Sequence, residues 1–123
     1  MPYSQPMPRA AARKRPVRSD ASKDIFELIG KGESIREASA AMQAIAHPLR
    51  LKILCLLGSQ ELSVLEIVDA VGTSQSNISQ HLAVLRGEGI LEPRKHANKV
   101  YYRIADARVL KIIGLTREIF CSF

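Results

Sequence analysis

The sequence predicts a mostly α-helical domain with one β-hairpin, and three observations carry that prediction. Apolar residues recur at helical spacing from about residue 33 to residue 87. Past Gly87-Glu88-Gly89 the period drops from 3.6 to 2 over two short runs, the pattern of a strand pair. After them, from about residue 105 to residue 120, the spacing is helical again.

The 123 residues suffice for one domain, placed at residues 20–123. The formal charge of +6 is unevenly placed: residues 1–19 hold Arg9, Arg13, Lys14, Arg15 and Arg18 without an acid, and the remaining 104 residues balance to +1. Those first 19 residues also contain four prolines and no apolar period, so they read as a disordered basic tail, either a solvated leader or an arm along phosphates. No apolar run approaches the ~18 residues of a membrane span, and no secretory core follows the start; a soluble cytoplasmic protein is expected.

Asp20 to Gly30 is a short candidate helix, stopped by Gly30-Lys31-Gly32. A longer helix is expected from about Glu33 to Ala46, with Ile35, Ala38, Met42 and Ile45 on one side. His47-Pro48 ends it, and Pro48 suits the first position of the next helix, which directs Leu49, Ile53, Leu56 and Leu57 inward. Cys55 lies one step off that stripe and reads as a buried core thiol or half of a reactive pair. Two cysteines are too few for a disulfide framework or a four-ligand zinc site.

Glu61 to Leu91 holds two helices around a tight turn. Ser63-Val64-Leu65-Glu66 is a capping box opening the first, and Gly72 supplies the positive φ that closes it. The second opens at Thr73-Ser74 and carries Ile78, Leu82 and Leu85 as one apolar stripe. Opposite lie Ser76, Gln80, Ala83 and Gly87, flanked by Asn77 and Ser79, with no charge until Arg86. Short hydroxyls and amides suit base edges in a major groove; a polar surface helix of an ordinary bundle is the plain alternative. Ile90–His96 and Lys99–Ile104 then form a hairpin joined at Ala97-Asn98, with Pro93 marking an edge strand. Its tip gathers Arg94, Lys95, His96, Asn98 and Lys99, a wing placed to touch phosphates beside the groove. A basic hairpin directly after that helix favours double-stranded DNA as partner, in a winged helix-turn-helix. The final helix is apolar around much of its girth, through Val109, Leu110, Ile112, Ile113, Leu115, Ile119 and Phe120, which calls for a second copy and a homodimer joined through terminal helices.

His47-Pro48-Leu49-Arg50-Leu51-Lys52-Ile53-Leu54, Glu61-Leu62-Ser63-Val64, Ser74-Gln75-Ser76-Asn77-Ile78-Ser79-Gln80-His81-Leu82 and Val100-Tyr101-Tyr102 together resemble the ArsR/SmtB family of dimeric winged-helix repressors, from about residue 33 onward. The resemblance implies operator contacts from Gln75, Ser76, Ser79 and Gln80, with Ser74 and Asn77 beside them. The family's metal sensors use cysteines where this chain has Ser63 and Leu65, or Asp, His and Glu in the last helix, where it offers Asp106 and Glu118. No metal or cofactor is therefore expected, and His47, His81 and His96 read as a helix junction, a helix-surface residue and a wing residue. Cys55 and Cys121 instead resemble the dithiol-sensing branch, the HlyU/SqrR/BigR-like regulators. That implies a pair linked by a small oxidant or reactive sulfur species, the reduced form binding DNA and the linked form releasing it. The alternatives are a repressor with inert cysteines or a non-standard metal site; a thiol enzyme lacks an identifiable base and cleft.

Overall fold

A computed structural model describes residues 32–121, with Ile25, Glu27 and Gly30 ahead of them. The tail at 1–19 lies outside the described residues, as does most of the short helix expected over 20–30, of which Ile25 and Glu27 are helical and exposed. Helix α1, Gly32–Ile45, is divided between two units at Ser39 and Ala40. In the first part Ile35 is exposed. In the second, Met42 is exposed while Ala44 is buried and Ile45 packs on the core, so the inward side is not the one marked by Ile35 and Met42.

Helix α2, Pro48–Leu57, starts where proline costs nothing, and His47 caps it: Leu49 N–H donates to His47 Nδ1 at 3.1 Å. Ile53, Leu54 and Leu57 are fully buried and Leu56 partly so. Leu54, absent from the expected stripe, is inside, and Cys55 next to it is exposed rather than buried. A ten-residue helix that is apolar nearly all round takes its inner sector from its neighbours, not from its own period.

Leu62–Ser63 form β1, a strand too short to show as an alternating pattern; it pairs antiparallel with β3. Ser63 then caps α3, Val64–Val71: its Oγ accepts from Glu66 N–H at 3.2 Å, and its own N–H donates to Glu66 Oε1 at 2.8 Å. Gly72, at φ 85°, closes α3 in the left-handed conformation and donates its N–H to Val68 O. Helix α4, Gln75–Gly87, follows, with Ile78, Leu82 and Leu85 fully buried against α2 and α3. At roughly 25 cal/mol per Å² of apolar surface, each such side chain contributes about 1.5–3 kcal/mol of burial.

The hairpin is β2, Leu91–His96, and β3, Lys99–Ile104. Ala97 at φ 50° and Asn98 at φ 69° turn it, the two successive positive φ values that a tight hairpin with right-handed strand twist requires. Sheet order is β1-β3-β2, so β2 lies at an edge, as Pro93 demands. Helix α5, Arg108–Phe120, begins three residues later than expected, with Asp106 accepting from Arg108 N–H at 2.9 Å. The Arg108 guanidinium also holds that carboxyl, down to a pKa of about 2. Val109 and Ile113 pack on the core, whereas Ile112, Leu115, Ile119 and Phe120 are exposed, Phe120 to 79%. No single helix among the described residues is long and apolar enough to cross a membrane.

Candidate nucleic-acid interface

Burying Ile78, Leu82 and Leu85 sends the opposite side of α4 outward: Gln75, Ser76, Ser79 and Gln80 are all exposed. Two residues assigned to DNA from sequence have work within the helix. Ser74 Oγ accepts from Asn77 N–H at 3.1 Å as the N-cap, and Asn77, half-buried, donates through Nδ2 to Thr73 Oγ1 at 3.2 Å. Their polar atoms hold the helix entrance, while the four exposed side chains point away from the core.

In the wing, Lys95, His96, Asn98 and Lys99 are exposed around the turn. Strand register pairs Arg94 with Tyr101 and His96 with Lys99, so these four share one face, with Glu92 and Arg103 further along it. Arg94 differs from the tip residues. Its Nε donates to Glu61 Oε2 at 2.9 Å and its Nη2 to Glu61 Oε1 at 2.6 Å, and its guanidinium lies 5.3 Å from the Tyr101 ring centroid. Glu61 is held below the usual carboxylate range, chiefly by the hydrogen bond from Arg94. Arg103 donates to Glu92 at 2.7 Å. Sequence reasoning passed over Glu61, because 33 residues separate it from its partner and no local pattern announces the pair.

His81 is not the surface residue expected. It is half-buried, its ring centroid 4.6 Å from that of His47. Burial first, then the charges of His47 and Arg50, hold its pKa below the ordinary 6.5. A histidine with a lowered folded-state pKa favours the native state fully above 6.5 and loses that contribution as pH falls below it, because the unfolded chain takes up the proton first. Urea unfolding should show a midpoint that drops between about pH 7.5 and 5.5, and His81→Asn should flatten that drop. An equal drop in both proteins would assign it to other groups.

The cysteines stand apart from the DNA-facing side. Cys55 in α2 and Cys121, one residue past α5, are both exposed free thiols, and α2 packs against α5. Among the described residues, no three His, Cys, Asp or Glu side chains gather as a metal-holding group.

A helix with an outward polar face, capped on the turn before it and followed by a basic hairpin, defines a winged helix-turn-helix DNA-binding module. Residues 47–92 match the family model described as bacterial regulatory protein, arsR family. The biofilm growth-associated repressor of Xylella fastidiosa strain Temecula1 is 34% identical over 86 residues, covering 70% of this chain and 75% of that protein. The transcriptional activator HlyU of Vibrio cholerae is 40% identical over 86 residues, covering 70% and 80%. The crystal structure of the transcriptional repressor BigR from Xylella fastidiosa superposes with a TM-score of 0.69 at 29% identity, covering 83% of this chain and 98% of that one. This chain belongs to the bacterial ArsR family, whose members and fold are those of DNA-binding transcription regulators, not enzymes.

Proposed function

We propose that the chain is a cytoplasmic, homodimeric repressor that reads operator DNA through Gln75, Ser76, Ser79 and Gln80, and whose grip is controlled by linking Cys55 to Cys121. The observation that carries the control is the pair of exposed thiols on packed helices. Residues 55 to 121 enclose α3, α4 and the wing, so a link between the sulfurs straps the helix before the reading unit to the helix behind it. The exposed apolar side of α5 supports a second copy there, and two recognition helices must meet half-sites about one helical turn apart. A small change in packing beneath them alters their spacing. Repression follows the repressors among its relatives, against the activator.

In the linking step each thiol gives up one hydrogen, two electrons and two protons in all pass to the oxidant, and a sulfur–sulfur bond forms. Reactive sulfur species would insert additional sulfur into the bridge. The test is a promoter-DNA titration of reduced protein, repeated after diamide, which is itself reduced, with mass measurement of the 55–121 link. A coupling of about 1–3 kcal/mol predicts a 5- to 150-fold loss of affinity. Cys55→Ser and Cys121→Ser should each bind DNA and ignore diamide. Unchanged affinity in fully linked protein would leave a repressor with inert thiols.

A further inference from the structure

The outer face of the wing carries four basic side chains, and they are not equivalent. His96 and Lys99, at the tip, have no ion pair among the described residues, whereas Arg94 meets both oxygens of Glu61 with one edge of its guanidinium. A planar fork on two carboxylate oxygens uses the geometry with which arginine grips a phosphate, so the carboxylate and a DNA phosphate compete for one edge. Tyr101, beneath the guanidinium, keeps it facing Glu61. The pair is half open to water, with side chains 49% and 27% exposed, so it is screened and exchangeable rather than sealed. Glu61 itself stands at the residue before β1, fixed to the opposite edge of the sheet from Arg94.

We infer that Glu61 is a specificity-determining residue: it occupies the phosphate-gripping edge of Arg94 and so suppresses sequence-independent DNA binding by the wing. This rests on the reading of the wing as a phosphate-contacting element. A wing with every cation free would hold any duplex, and affinity for phosphates carries no sequence information. Withholding one arginine per subunit lowers the background against which the four polar side chains of α4 discriminate.

The test uses the full chain, reduced, with a random-sequence duplex as probe, and measures affinity across a salt series for wild type, E61Q, R94Q and the double variant. Each released phosphate contact steepens the slope of log affinity against log salt by ~0.9, which at about 0.1 M salt is roughly an eightfold gain per subunit. E61Q should show that steepening and gain, and R94Q should change little. In the double variant the gain should vanish. R94K, which keeps the charge without the planar fork, should move in the direction of E61Q and gives a second reading if E61Q folds poorly. A gain from E61Q that persists without Arg94 would show simple relief of charge repulsion and overturn the proposal. So would an unchanged slope, or a loss of non-specific binding in R94Q equal to one phosphate contact. If wild type binds no duplex at any salt, the wing reading falls, and this inference with it; if wild type binds and E61Q matches it, only the inference falls.

Discussion

Leu82→Ala should destabilise the domain by about 2–5 kcal/mol, read as a fall in the urea midpoint at unchanged slope. Leu82 is 1% exposed and sits in mid-α4 between Ile78 and Leu85, both fully buried. Removing its branched end leaves a space that α2 and α3, anchored by Ile53, Leu57 and Ile67, fill only in part. Domains of this kind have about 5–15 kcal/mol in total, so one side chain decides much of the margin. Ser79→Ala, on the exposed side of the same helix, should stay within about 0.5 kcal/mol of wild type. A small effect at Leu82 would mean that α4 does not use this stripe as its inner side.

The second large effect is expected in binding rather than folding. Gln75→Ala combined with Gln80→Ala should leave the unfolding midpoint in place and weaken promoter binding ~30-fold or more, taking about 1–3 kcal/mol for each well-placed amide on a base. Both side chains are exposed and neither takes part in the helix's own capping, unlike Ser74 and Asn77. Affinity for random-sequence DNA should change little, because backbone contacts are made elsewhere. An equal loss on promoter and random duplexes would make the two glutamines phosphate contacts; no loss on either would remove α4 as the reader.

Much of the fold was legible because its decisive features are local. The Ser63–Glu66 box, Gly72 at its left-handed turn, the Ile78–Leu82–Leu85 stripe and the Ala97-Asn98 hairpin turn are each set within a few residues. The features that escaped depend on distant partners. The two-residue β1 exists only because β3 lies beside it some forty residues later. Cys55 faces out and Leu54 in because neighbouring helices select one sector of an apolar cylinder. His81 is half-buried because the His47 ring reaches it across α2 and α4. In the candidate interface, the exposed side of α4 could be drawn from its period, whereas Arg94's engagement by Glu61 could not.

Ser63 belongs at once to the sheet and to the start of α3: it faces Tyr101 in β3 while its hydroxyl and amide close the box with Glu66. One buried residue thus welds hairpin and helix pair into a single rigid body, leaving no joint at which the wing could flap on its own. Any signal that loosens the protein from DNA must therefore swing this whole unit, so that helix and wing lose their footing on the duplex in the same movement.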